Sequence, residues 1–453
     1  MTRRPNVLFL MSDEHRADVA GFAGNRVVRT PFLDELARTG TTFSNAYTPS
    51  PICIPARQCL AAGKYPRNCG VERYGQDLPP NSLTWARVFS QFAYQTVACG
   101  KLHHTGTDQM QGWTRRVGLD ESVESGFIAE RDAASFEAMK ARPDGRDADP
   151  KWSDAKEIQR AGIGRGPHTA VRDDFALVGA KLVADEHFLD PFYDRASPHQ
   201  PIVLYLGLSN PHYPYLADED GFRHYLPRVE PFLDEKPFPH PWLGKSPFMP
   251  DAVQIGRDVS AREVRRATAA YYANIEKIDE QFGELARHLE SVGQNLDEWI
   301  VIYTSDHGEM LGQHGIWEKQ KFFEASARVP LIIRWPKEMA GGQIVSQNVN
   351  LIDLFATLCE LCDLPVPPNL DSRSLVPLLK GDASDWDNET LSQFGGRHLM
   401  IKRDALKYQF YGEDGPEVLF DLERNPDETS DFSHEPAYSE RMGEFQRRRS
   451  DFG

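Results

Sequence analysis

The chain has 453 residues, 40% of them hydrophobic, with 51 Lys and Arg against 67 Asp and Glu for a formal net charge of −16. That length supports a large buried core and more than one domain, while an acidic balance without a block of like charge argues against nucleic acid as a partner. An acidic surface also repels anions at long range, so an anion site here needs a local positive field from a metal or a few Lys and Arg.

In chain order, Met1 to Pro5 leads straight into Asn6-Val-Leu-Phe-Leu-Met11, an apolar run too short for a signal segment and read as a strand. No run of about 18 apolar residues follows, so no membrane partner is expected and a cytoplasmic location is favoured. Strands are predicted at Val7–Met11, Gln95–Cys99, Ile202–Leu208, Trp299–Thr304 and Val329–Arg334, and helices at Pro31–Arg38, Ser82–Phe92, Arg262–Val292 and Leu351–Cys362. This alternation predicts an α/β fold with a mostly parallel sheet flanked by helices. The polar, weakly periodic region 123–195 reads as an insertion of loops and short helices. The Pro-rich stretch Leu364 to Pro368 breaks the pattern, which places a boundary near residue 370. A catalytic domain over 1–370 is then followed by a small α+β subdomain over 371–453, in which Arg397–Arg403, Lys407–Tyr411 and Val418–Leu422 read as an antiparallel unit. The six cysteines do not form a disulfide framework in so long a chain, and most are expected to be reduced. Cys359 and Cys362 form a CxxC within helical apolar periodicity and read as a buried helix face.

Four of the five strand candidates run into polar clusters: Asp13-Glu14-His15, Lys101-Leu-His103-His104, Asn210-Pro-His212 and Asp306-His307. Ligands of open α/β sheets bind at the carboxyl ends of the strands, so these clusters are expected to converge on one crevice. Asp13, Glu14, Asp306 and His307 supply hard oxygens and an imidazole suited to Ca²⁺, Mg²⁺ or Mn²⁺. Lys101, His103, His212 and Lys319 supply positive charge and proton donors, which together with a metal suit a tetrahedral oxyanion. Cys53 stands before a helix predicted to begin near Pro55, where the helix dipole and Arg57, one turn on, both favour an anionic group.

The segment Pro51-Ile-Cys53-Ile-Pro55-Ala-Arg57-Gln-Cys-Leu60-Ala-Ala62-Gly63-Lys64 resembles the type I sulfatase signature C-x-P-[SA]-R followed by L-x-T-G-[RK], whose cysteine a formylglycine-generating enzyme oxidises. In the same order, Asn6 to Glu14 resembles the first metal-binding strand, Gly100-Lys101-Leu-His103 the G-K-x-H element, and Pro211-His212-Tyr213-Pro214 the P-H-x-P element. Ser305 to Gly308 is similar to the second metal-binding turn, Gly315 to Lys319 to the segment with the sulfate-binding lysine, and Leu419 to Glu428 to the family's carboxyl-terminal L-Y-D-L-x-x-D-P-x-E. The resemblance spans roughly Asn6 to Thr429 and implies an alkaline-phosphatase-like fold.

It implies hydrolysis of a small sulfate ester by a formylglycine derived from Cys53, with one divalent metal, Ca²⁺ foremost, held by Asp13, Glu14, residue 53, Asp306 and His307. In such enzymes one hydroxyl of the hydrated aldehyde attacks sulfur and the other collapses to eject sulfate. Arg57 and Lys101 would steady the hydrate, His103 would assist its collapse, and His212 with Lys319 would contact the sulfate or protonate the leaving oxygen. The chain departs from the pattern at Ala62, where the family has Thr, at Glu14, and at His307, a variant shared with phosphonate monoester hydrolases. A phosphonate monoester or phosphodiester hydrolase with the same nucleophile is therefore the alternative, and a non-catalytic anion-binding relative with unmodified Cys53 is a third. The segments Gly100 to Trp113 and Trp317 to Pro330 look most like the choline-sulfatase side of the family, with Trp113, Tyr213 or Trp317 offered as cation–π contacts to a quaternary ammonium. Association into a homo-oligomer stays open.

Overall fold

The computed structural model describes residues 4–117, 154–189, 200–233, 252–413 and 415–452. Eight strands form the main sheet: β1 (Val7–Asp13), β2 (Thr41–Phe43), β3 (Gln95–Gly100), β4 (Arg115–Val117), β5 (Ile202–Pro211), β6 (Ile300–Ser305), β7 (Leu331–Arg334) and β8 (Gln343–Val345). Their spatial order is β8-β2-β7-β6-β1-β5-β3-β4, and β7 alone runs against the rest. The expected strand 329–334 is divided at Pro330, which has no N–H to give to a ladder. Arg328–Val329 pairs with Ala46–Tyr47, while Leu331–Arg334 turns into the main sheet.

The sheet is covered on both faces, and β1 is buried throughout. Successive side chains alternate between faces. Val7, Phe9 and Met11 meet Trp85 and Phe89 of α3 (Trp85–Gln91) and Phe355 and Leu358 of α6 (Leu354–Leu361). Leu8 and Leu10 meet Leu33 and Leu36 of α1 (Pro31–Thr39), Ala180 and Val183 of α4 (Ala170–Leu189), and Ile278 and Phe282 of α5 (Ala261–Ser291). Helix α5 starts where Ser260 and Glu263 cap one another's backbone N–H groups. Cys359 and Cys362 are buried in the first of these cores.

Of the expected insertion, 123–153 and 190–195 lie outside the described residues. The described part holds α4, whose 20 residues correct the expectation of short helices only. Its inward face is made of small residues, Ala176, Ala180 and Ala184, with Leu177 and Val183, while Phe175, Val178 and Leu182 are exposed. Hydropathy therefore marks no single face, which is why the sequence shows weak periodicity there. Among the described residues no helix is long and apolar enough to cross a membrane.

Toward the carboxyl terminus a four-stranded antiparallel sheet runs in sequence order: β9 (Glu389–Phe394), β10 (His398–Arg403), β11 (Leu406–Phe410) and β12 (Glu417–Asp421). One face packs on Met442 and Phe445 of α7 (Ser439–Ser450). From this sheet Phe394 and Met400 join Tyr411 against Tyr47, Ile52 and Phe322. Ile52 immediately precedes Cys53, so this contact buttresses the residue expected to be the nucleophile. A buried cluster secures the same junction: Lys407 Nζ lies 2.9 Å from Glu324 Oε1 and 2.5 Å from Glu428 Oε1, and burial pushes the Glu428 pKa up to about 7 in spite of Lys407. Burial opposes ionisation of Glu324, yet Lys407, Arg328 and Lys402 prevail and bring its pKa from 4.5 down to about 2. A depressed carboxyl pKa stabilises the fold above the unfolded value, and the contribution is lost as pH falls from 4.5 toward about 2. Glu324→Gln is therefore expected to cost up to about 3 kcal/mol at pH 6 and progressively less toward pH ~3, read from urea midpoints. An equal cost at both pH values would rule out this linkage.

Candidate active site

The register of the central strands sets the site. Ser12 of β1 lies opposite Ser305 of β6, so the next residues, Asp13 and Asp306, leave the sheet side by side. At the neighbouring strand ends, Lys101 N donates to Gly207 O at 2.9 Å, and β5 carries the chain to His212. Helix α2 (Cys53–Ala62) brings its amino terminus to the same place, with Ile52 as an extended N-cap lacking a side-chain bond. Cys53 and Arg57 are one turn apart and share a face of α2.

Arg57 links the two aspartates. Its Nη2 is 3.0 Å from Asp13 Oδ2 and its Nε 2.8 Å from Asp306 Oδ2. Nη1 donates to Lys101 O at 2.9 Å and to the Tyr205 hydroxyl at 3.0 Å. Lys101 Nζ reaches Asp13 Oδ2 at 3.0 Å. Burial would raise the Asp13 pKa, but Lys101, His212, Arg57 and His307 outweigh it and hold the carboxylate well below its ordinary value.

Cys53 Sγ sits 3.6 Å from Asp13 Oδ1 and 3.1 Å from His307 Nε2. Burial first, then Asp13 and Asp306, push its pKa well above its ordinary value. His307 Nδ1 is 3.0 Å from Gly308 O, which places its proton there and leaves the Nε2 lone pair facing Cys53. Burial keeps this imidazole neutral against Asp306 and Asp13.

A second group stands beside the first. Lys319 Nζ lies 3.0 Å from Glu14 Oε2 and 2.8 Å from His212 Nε2, and over the Tyr213 ring at 4.4 Å. His212 Nδ1 faces Tyr213 O at 2.6 Å, so its proton sits there and Nε2 accepts from Lys319. Burial and then Lys319 depress the His212 pKa. Burial also lowers that of Lys319, but Glu14 more than compensates and the ammonium is retained. His103, in a left-handed backbone conformation with φ 61, places Nε2 3.4 Å from the Tyr74 hydroxyl.

The donor atoms of Asp13, Cys53, Asp306 and His307 lie within 4.8 Å of one another, all buried. Two carboxylates, an imidazole lone pair and the residue-53 side chain fit one hard divalent ion. Asp13, Glu14 and His212 form a second such group, and Glu14 Oε1 is buried without a hydrogen-bond partner. Glu14 thus adjoins the Cys53 group through Asp13 while its other oxygen binds Lys319. Burial, with Glu309 nearby, raises the Glu14 pKa well above its ordinary value in spite of Lys319, while the charges of Asp13 and Asp306 are matched by Arg57 and Lys101, so a bound divalent ion leaves the surplus positive charge that a sulfate ester requires.

The structure brings together Asp13, Glu14, Cys53, Arg57, Lys101, His212, Asp306, His307 and Lys319, with His103 joined to them through the chain at Lys101. Trp113 and Trp317 are placed elsewhere, which corrects the expectation of substrate contact. Trp113 packs edge-on against Trp85 at 5.0 Å in the core beneath the sheet, and Trp317 is buried against Tyr215. Tyr213 alone of the three lies at the crevice, its ring engaged by Lys319. Sequence reasoning missed Tyr205, which holds Arg57, and Tyr74, 37% exposed beside His103. Tyr205 occupies an inward position of a strand and carried no signal distinct from packing.

A sheet that gathers paired aspartates, Lys101 and a helix-borne residue 53 at its carboxyl edge makes a crevice suited to a tetrahedral oxyanion. The family model described as Sulfatase matches residues 5–364, and that of the N-sulphoglucosamine sulphohydrolase C-terminal region matches 312–451. Choline-sulfatase of Rhizobium meliloti (strain 1021) is 30% identical over 452 residues, covering 96% of this chain and 83% of that protein. Arylsulfatase K of Bos taurus is 29% identical over 467 residues, covering 95% and 78%. In fold, the chain is similar to the phosphonate monoester hydrolase of Agrobacterium radiobacter, with TM-score 0.78, 23% identity and coverage of 99% and 95%. The chain belongs to the sulfatase family and is a sulfatase of the alkaline phosphatase superfamily.

Proposed function

We propose that this sulfatase hydrolyses sulfate monoesters with a formylglycine made from Cys53 and one divalent ion, Ca²⁺ foremost, held by Asp13, residue 53, Asp306 and His307. The observation that carries this reading is the setting of Cys53. It lies 3.6 Å from the Asp13 carboxylate and 3.1 Å from an imidazole lone pair, at the amino terminus of its helix. A thiol at that position would form an adduct with no second hydroxyl to expel sulfate, whereas a hydrated aldehyde supplies one hydroxyl for attack and a second for release. The ion, when bound, supplies charge that polarises the ester and lowers the pKa of the attacking hydroxyl.

The chain's own groups divide the remaining work. Arg57 and Lys101 fix the Asp13 carboxylate beside residue 53. Lys319 carries protons on the open side of the pocket, where His212 Nε2 accepts from it and Tyr213 backs it. That side takes the leaving alcohol, because His212 keeps 15% of its side chain exposed while Asp13 and His307 keep none. The proton for the leaving oxygen comes from the Lys319–His212 pair. Small alkyl, choline-type and aryl sulfates all fit this description. Maturation requires a formylglycine-generating enzyme.

A phosphonate monoester hydrolase is the second reading, favoured by His307 at 3.1 Å from residue 53. Parallel assays of aryl sulfate and aryl phosphonate monoesters sharing one leaving group decide between them. The sulfate ester is expected to give the higher kcat/KM by at least about tenfold, about 1.4 kcal/mol in the barrier. The reverse ranking would establish the second reading.

A further inference from the structure

A second thiol site lies at the far end of the helix that carries Cys53. Cys59 Sγ and Cys69 Sγ are 3.5 Å apart, Cys59 fully buried and Cys69 partly exposed. Helix α2 ends at Gly63, φ 63, where a Cβ would come within 2.7 Å of the Phe355 ring. The chain turns there and enters a short helix, Pro66–Cys69. This turn is anchored independently of the sulfur atoms. Asp371 N donates to Gly63 O at 3.0 Å, and Asp371 Oδ2 accepts from Tyr65 N at 2.9 Å and from Asn68 Nδ2 at 2.8 Å. The sulfurs are in van der Waals contact, and reaching bonding distance, about 2.05 Å, asks for an approach of about 1.5 Å within a loop whose closure already exists.

We propose that Cys59 and Cys69 are a reversible dithiol–disulfide pair, oxidised by low-molecular-weight disulfides. Cys69 is the attacking residue, since it alone of the two reaches solvent. A hydrogen bond from Cys59 and backbone N–H groups favour its thiolate, while burial and Cys69 itself push the Cys59 thiol up. The Cys69 thiolate displaces one thiolate from a disulfide R–S–S–R, giving a mixed disulfide. Cys59 then loses its proton, attacks the Cys69 sulfur and expels the second R thiolate. Two electrons pass from the pair to R–S–S–R, and the two thiol protons end on two R–SH. The bond ties the last turn of α2 to the 64–69 turn, and so stabilises the segment that presents Cys53 and Arg57.

This inference is independent of the substrate and of the state of residue 53. The purified full-length protein is incubated with excess oxidised glutathione, then alkylated and peptide-mapped without reduction. A Cys59–Cys69 link that dithiothreitol reverses is expected, with a rise of a few degrees in the thermal midpoint that Cys69→Ser and Cys69→Ala both lack. Complete alkylation of both thiols after oxidation would overturn the proposal, as would glutathione adducts without the internal link, or a link to any other cysteine.

Discussion

Asp13→Ala and Asp306→Ala are each expected to lower kcat by at least about a thousand-fold while the sheet survives. Each replacement removes a charged oxygen from the group that also holds Cys53 and His307. Neither aspartate sets the strand register, which follows from the Ser12–Ser305 pairing of two fully buried strands, although each loss leaves the buried Arg57 guanidinium short of a partner and should lower the urea midpoint. Far-ultraviolet circular dichroism should therefore be unchanged, while bound metal falls in proportion to activity. Chelation of the wild type should reproduce the loss, and added Ca²⁺ should restore it in the wild type alone. Asp13→Ala with most of its activity and its full metal content would sink the assignment.

Arg57→Ala is expected to act first on stability. The guanidinium is buried and satisfies Asp13, Asp306, Lys101 O and Tyr205 at once. Its loss leaves two buried carboxylates short of a partner, which costs about 3–5 kcal/mol. A divalent ion neutralises the same carboxylates, so Ca²⁺ should recover part of the loss, and the variant's urea midpoint should depend on Ca²⁺ more steeply than that of the wild type. An unchanged midpoint without metal would show that the aspartates do not depend on Arg57.

Much of the site was legible because polar clusters directly follow apolar runs. Asp13, Lys101, His212 and Asp306 all sit at strand ends, and a parallel sheet brings such ends together whatever lies between them. Arg57 was legible from its spacing to Cys53 on one helix. Lys319 was named among the positive groups without a strand end to place it, since it lies between Glu318 and Gln320, both in left-handed conformations, and the family resemblance gave it a role. The aromatics show the opposite limit. Composition identifies Trp113 and Trp317 but carries no information on whether an indole faces a crevice or a core. Glu14 was expected among the metal ligands, and its bond to Lys319 depends on a loop some 300 residues away, beyond local reasoning. The strand Glu389–Phe394 escaped notice because its polar residues Thr390, Ser392 and Gln393 are buried, which breaks the usual alternation.

The central claim rests on residue 53. Preparations made with graded amounts of a formylglycine-generating enzyme should be compared by mass spectrometry of the peptide containing Cys53 and by turnover of an aryl sulfate. Ala62 stands where the family signature has Thr and packs in an apolar cluster with Ile54, Val71 and Leu78, so conversion in a foreign host is expected to be partial and to rise with the modifying enzyme. Activity should be proportional to the fraction of aldehyde or hydrate at residue 53, extrapolating to nothing at zero conversion and absent in Cys53→Ala and Cys53→Ser. Protein with wholly unmodified Cys53 that turns over sulfate esters as fast as converted protein would contradict the account.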